Sequence, residues 1–121
     1  MRTRTERKPR DLLPLSSASF YILVALADAD RHGYSILCDI ADRTAGKVKL
    51  NPGTLYTTIK RLLADGLIIE LDERPDPEAD DERRRYYRIT PFGRRVVRGE
   101  AARLEELVTM ARSAGLSPKP A

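Results

Sequence analysis

Apolar residues recur along this chain at a helical period through three successive segments, then at a period of two, and then at a helical period again. That order predicts three helices, a β-hairpin and a long closing helix. The segment from Asn51 to Gly66 has the clearest boundaries. Asn51 is a good N-cap, Pro52 fits the first helical position, where its missing N–H is not needed, and Gly66 stands where a left-handed C-terminal cap is wanted. Leu55, Ile59, Leu62 and Leu63 fall on one stripe of this helix, and Gly53, Thr57, Lys60, Arg61 and Ala64 lie on the other side. One face can dock against a core; the other is small, hydroxyl-bearing and cationic.

Ahead of that helix, Ser16 and Ser17 are caps for one running to about Asp28. Its Phe20, Tyr21, Ile22, Leu23, Val24, Leu26 and Ala27 leave no polar face, so it is expected to be covered on all sides, partly by a second subunit. Asp28 to His32 reads as a polar turn. Gly33 leads into a helix from roughly Tyr34 to Thr44, with Tyr34, Leu37, Cys38 and Ala41 as its inner stripe and Ile36 and Ile40 bordering it. Ala45 to Leu50 connects onward, with Val48 and Leu50 candidates for a short extended piece.

After Gly66, Leu67, Ile69 and Leu71 alternate with Ile68, Glu70 and Asp72, a strand with one face inward. A second strand is expected at about Arg84 to Ile89, with Tyr87 and Ile89 on one side and Tyr86 and Arg88 on the other. The intervening PDPEADDE is a long hairpin loop. Thr90 and Pro91 repeat the cap-then-proline device and open a helix to about Arg112, in which Val97, Ala101, Leu104, Val108 and Ala111 step by four and three, as a seam for a partner helix would. The fold class expected is mainly α with a small β-hairpin, a winged helix-turn-helix plus a C-terminal dimerisation helix. Its parts are a flexible basic arm (1–11), the winged helix-turn-helix domain (12–90), the dimerisation helix (91–113) and a disordered tail (114–121).

Charge sharpens this outline. The 121 residues carry 22 Lys plus Arg against 18 Asp plus Glu, a net +4 that is too mild to identify a polyanionic partner by itself. Its distribution says more. Arg43 to Ala64 holds five basic residues and no acid, Arg83 to Gly99 holds seven and no acid, and Asp72 to Glu82 holds seven acids and one Arg. Segregation of this kind makes basic stripes on a surface.

The outer face of the Asn51–Gly66 helix suits the DNA major groove. Gly53 adds no bulk at its leading end, Thr54 and Thr57 can donate to phosphate or touch a thymine methyl, Tyr56 can reach the backbone or a base edge, and Lys60 and Arg61 follow a turn later. Arg84 and Arg85 would grip the backbone from the base of the wing. Double-stranded DNA and a second copy of the chain are thus the expected partners, with Leu12, Leu15, Phe20, Val97, Ala101, Leu104, Val108 and Ala111 as the expected dimer interface.

Other classes fit less well. The same helix would also serve a protein-interaction module that never meets DNA. For an enzyme, one His, one Cys and the absence of a phosphate-cradling glycine loop leave no catalytic constellation, and no metal or cofactor site is expected. His32 is read as a satisfied turn residue and Cys38, among apolar neighbours, as a buried structural thiol in a reducing, cytoplasmic compartment. No apolar run approaches membrane-spanning length.

Four blocks in order carry a resemblance: HGYSI at His32 to Ile36, PGTLYTTIKRL at Pro52 to Leu62, DGLI at Asp65 to Ile68, and RRRYYRIT at Arg83 to Thr90 followed by Pro91, Phe92 and Gly93. With them the stretch from about Leu12 to Arg112 resembles the PadR family of bacterial transcriptional regulators, in its short subgroup with a single terminal helix. The resemblance implies a dimeric winged-helix protein, usually a repressor, whose third helix enters the major groove while its wing approaches the minor groove. It also implies that the last helix dimerises against the N-terminal helix of the other subunit. Some short members bind flat aromatic or drug-like molecules between the dimer's helices. This chain has no Trp, and two Phe and five Tyr are its only aromatic residues, so a stacking drug pocket is not carried over and a small-molecule effector is left open.

Overall fold

The computed structural model describes residues 7–71 and 85–116. Among them a 3₁₀ turn at Pro9–Leu12 precedes α1 (Ser17–Ala27), β1 (Arg31–His32), α2 (Gly33–Arg43), α3 (Pro52–Ala64), β2 (Ile68–Glu70), β3 (Tyr86–Ile89) and α4 (Pro91–Ser113). The helices begin where side chains can take up their orphan N–H groups. Ser16 accepts from the Ser19 N–H at 3.1 Å, His32 from Ser35 at 3.2 Å, Asn51 from Thr54 at 2.8 Å and Thr90 from Gly93 at 2.9 Å. Just past the end of α3, Gly66 has a φ of +75°, the left-handed conformation its sequence position called for.

α1 lies at the centre and touches α2, α3, α4 and β3. Ile22, Leu23 and Leu26 from it meet Ile36 and Ile40 of α2, Leu55, Ile59 and Leu62 of α3, Tyr87 and Ile89 of β3 and Val96 of α4 in one core. Each such aliphatic side chain contributes roughly 1.5–3 kcal/mol on burial. The three strands form an antiparallel sheet in the order β1-β3-β2, with Arg31 opposite Tyr87, His32 opposite Tyr86 and Ile68 opposite Ile89.

Several expectations are corrected. The inner face of α2 is Ile36 and Ile40, whereas Tyr34 is 70% exposed and Cys38 is exposed rather than a buried thiol. Both sets step by four, so periodicity could not choose between them. The rotation of α2 is set by His32, which pairs with Tyr86 and caps the helix. In β2 the inward residue is Ile68, and Ile69, opposite Arg88, is 46% exposed. Leu67 is buried as well, but in the turn before the strand, where its carbonyl accepts the Thr90 N–H at 3.0 Å. The polar turn ends in β1, a two-residue strand too short to register as a pattern, and no strand forms at Val48 to Leu50. Of the stretch read as an arm, residues 7–11 include most of the 3₁₀ turn, and the Arg7 guanidinium donates to the Asp65 carbonyl. Asp72 to Glu82, with the acidic loop, lies outside the described residues.

A carboxylate is buried where α4 meets the start of α1. Glu100, 2% exposed, accepts the Leu15 N–H at 3.2 Å and two guanidinium N–H groups of Arg103 at 2.6 and 2.9 Å. The Arg103 hydrogen bonds, followed by the charge of Arg103 and the Leu15 N–H, hold its carboxyl below the ordinary value of 4.5 against the opposing effect of burial. A depressed folded pKa means that the unfolded chain binds the proton more tightly. The stabilisation is therefore complete above the unfolded value and lost as pH falls through the folded one. Glu100→Gln should accordingly be less stable than wild type at pH 7, with the gap narrowing below about 4.5 in thermal melts. A gap independent of pH would remove the carboxylate from this role.

Candidate nucleic-acid interface

The amphipathic division of α3 is realised in the fold. Leu55, Ile59 and Leu62 are buried, and Gly53, Thr54, Tyr56, Thr57, Lys60 and Arg61 are all exposed on the outer side. Helical spacing forces this separation once Leu55 and Ile59 have docked on α1, because residues at i, i+3 and i+4 share a face. The helix is capped at both ends and anchored by its buried stripe. Side chains on its outer face are therefore held in a fixed array.

The cations near this array are not equivalent. Arg43 is tied to Asp39 at 2.6 Å and Asp28 at 2.9 Å, and Arg31 to Asp28 at 3.2 Å and Asp39 at 3.1 Å. Arg31 also donates to the Ala25 carbonyl at 2.7 Å near the end of α1. This four-membered lattice fixes α1 against α2 and withdraws Arg43 from the basic stripe. Its two arginines, Arg31 first, hold Asp28 below the ordinary carboxylate range. Lys47, Lys49, Lys60 and Arg61 stand exposed and take part in no ion pair among the described residues.

The wing root follows α3 through β2, which contacts it. Arg85 is exposed and reaches Glu70 at 3.5 Å, a surface pair weak enough to be exchanged for a phosphate. Arg88 is a bidentate partner of Asp30 at 2.8 and 3.1 Å, which straps β3 to the α1–β1 turn and lowers the Asp30 pKa. Tyr87, buried in β3, has its hydroxyl pushed above the ordinary value of 10 by burial first, then by Glu70 and Tyr56. Arg84 lies outside the described residues.

Three of the residues expected at a dimer interface come together. Leu15, Phe20 and Leu104 line a groove of about 290 Å³ together with Ser17, Tyr21, Glu100 and Arg103. Leu12, Val97, Val108 and Ala111 are half-buried, and Ala101 is exposed. Leu104 is 38% exposed, and Leu107 and Met110, which the seam of fours and threes left out, are more exposed still. Their spacing of three along α4 was the signal that could have found them.

Sequence reasoning also missed a contact between two of its own motifs. Gly33 of the HGYSI block lies against Tyr56 of the PGTLY block. Among the described residues no group of His, Cys, Asp and Glu could hold a metal ion, and no helix is long and apolar enough to cross a membrane.

Comparison with known proteins agrees with this geometry. Residues 22–99 match the family described as the transcriptional regulator PadR-like family. The transcriptional regulator Rv3488 of Mycobacterium tuberculosis is 35% identical over 92 residues, covering 76% of this chain and 79% of that protein. Among solved structures, a transcriptional regulator from Clostridium thermocellum superposes with a TM-score of 0.68 at 27% identity, over 82% of this chain and 96% of that one. A PadR family transcription regulator from Clostridium difficile shares the fold, with a TM-score of 0.66 at 20% identity over 81% of this chain and 97% of that one.

Proposed function

The chain belongs to the PadR-like family of transcriptional regulators, and from that premise we propose that it is a cytoplasmic repressor that binds an inverted-repeat operator as a homodimer. The observation that carries this reading is the outer face of α3, where small, hydroxyl-bearing and cationic residues stand exposed on a capped helix. Gly53, Thr54 and Thr57 lie at the base edges or the nearest backbone, and Lys60 and Arg61 contact phosphates. Arg84 and Arg85 grip the backbone at the wing. The second half of the reading is supported by α4, which presents Leu104, Leu107 and Met110 to solvent, Leu104 at the groove that Glu100 also lines, and a second copy would cover them. Two copies related by a two-fold axis read half-sites about one helical turn apart.

A mobility shift with the duplex upstream of the chain's own coding region is the first test, and fluorescence anisotropy at several salt concentrations the second. Lys60→Ala and Arg61→Ala are each expected to weaken binding to all sequences and to reduce the slope of log affinity against log salt by about one. An unchanged slope would show that neither cation meets a phosphate. Duplex binding with no salt dependence, or none at all, would point instead to a winged-helix module that recognises another protein.

A further inference from the structure

We infer that Tyr56 is a positioning residue, seated in a notch at Gly33 that fixes how α3 stands against α2. The inference rests on the reading of α3 as the DNA-facing helix and assigns one of its exposed residues a different task. A Cβ built on Gly33 would lie 2.5 Å from the Tyr56 hydroxyl oxygen, 3.0 Å from Cζ and 3.2 Å from Cε1. Real Cβ atoms do not approach so closely, so the space above Gly33 is filled by the tip of the Tyr56 ring. The hydroxyl oxygen is the nearest atom of the three. The group that would touch DNA is therefore the one turned toward α2, and the 46% exposure of Tyr56 is consistent with one side of its ring being covered.

The notch is held from behind. Gly33 is buried at the first position of α2, directly after His32, whose ring nitrogen accepts the Ser35 N–H at 3.2 Å and whose backbone pairs with Tyr86 of β3. The His32 ring meets the Tyr86 ring edge-on, with centroids 5.2 Å apart. Tyr56 thus stands where α2, α3 and the wing strand converge, and its ring sets the angle at which the residues from Gly53 to Arg61 meet a groove. This joins the HGYSI and PGTLY motifs physically: the first supplies a residue without a side chain because the second supplies a ring.

The test compares Tyr56→Phe, Tyr56→Ala and Gly33→Ala on two duplexes, one selected by the wild-type chain from a random pool and one unselected. Tyr56→Phe should bind both within about twofold of wild type. Tyr56→Ala should lose about tenfold or more on the selected duplex, comparable to one mismatched base pair, and Gly33→Ala, which displaces the ring tip without removing the ring, a smaller factor, both with the salt slope unchanged. Thermal melts without DNA provide an independent cycle. Gly33→Ala should lower the midpoint when Tyr56 is present and leave it unchanged or raise it in the Tyr56→Ala background, where the clash is gone and alanine favours the helix. A Tyr56→Phe protein as impaired as Tyr56→Ala would overturn the inference, because the hydroxyl would then be making the contact. Equal cost of Gly33→Ala in both backgrounds would also overturn it. If the wild type binds neither duplex in a salt-dependent way, the reading of the face fails and the positioning role falls with it, while the melting cycle still reports the packing.

Discussion

Gly93→Ala is expected to lower the thermal midpoint by more than about 10 °C and to abolish binding to an operator duplex. Gly93 is buried at the start of α4, where a Cβ would fall inside the van der Waals envelope of the Leu67 carbonyl oxygen and 2.9 Å from Ile89 Cγ1. The obstacle is backbone, not a side chain that can swing aside, so α4 must lift off the turn between α3 and β2. Overpacking of this kind costs about 3 kcal/mol. Gly99→Ala, two turns later, is the control: its Cβ would meet only Leu13 Cδ1 at 3.4 Å, an ordinary contact, and alanine favours a helix interior. If both variants melt with the wild type, the close approach of α4 to Leu67 is wrong.

The second large effect is expected at Leu104. Leu104→Glu should convert a sedimenting dimer into a monomer and cut operator affinity by at least about 100-fold, because each half-site would then be bound without the effective concentration provided by the other. The carboxylate would lie beside Leu15 and Phe20 and one helical turn from Glu100, and covering it with a second subunit would bury an unpaired charge. The monomer fold should survive, since Leu104 is at the rim of the core rather than in it. A variant that remains dimeric with normal affinity would place the interface elsewhere.

Most of the helical part was legible in the sequence because it is written in local signals. Asn51, Pro52 and Gly66 bound α3, and Thr90 and Pro91 open α4, through contacts within a few residues of themselves. The outer face of α3 followed from its buried stripe alone. Features that depend on partners distant in the chain were not legible. Which of two equally spaced stripes of α2 turns inward depends on the pairing of His32 with Tyr86, 54 positions on. That Ile68, not Ile69, faces the core follows from register against Ile89. The withdrawal of Arg43 into the lattice with Asp28 and Asp39 shows why a count of basic residues along a segment overstates the charge available to a polyanion.

Thr90 joins the turn after α3 to the start of α4 through a single side chain. Its hydroxyl accepts the Gly93 N–H at 2.9 Å and donates to the Gly66 carbonyl at 2.8 Å, so the last residue of one helical cap and the first turn of the next helix share one oxygen. Through that oxygen the turn after α3 and the first turn of α4 are hydrogen-bonded to the same residue. If, as proposed, two copies pair along α4, the way the paired helices cross would set the span between their two α3 faces. Substitutions far from any base could retune this protein to half-sites of a different spacing without altering a residue that touches them.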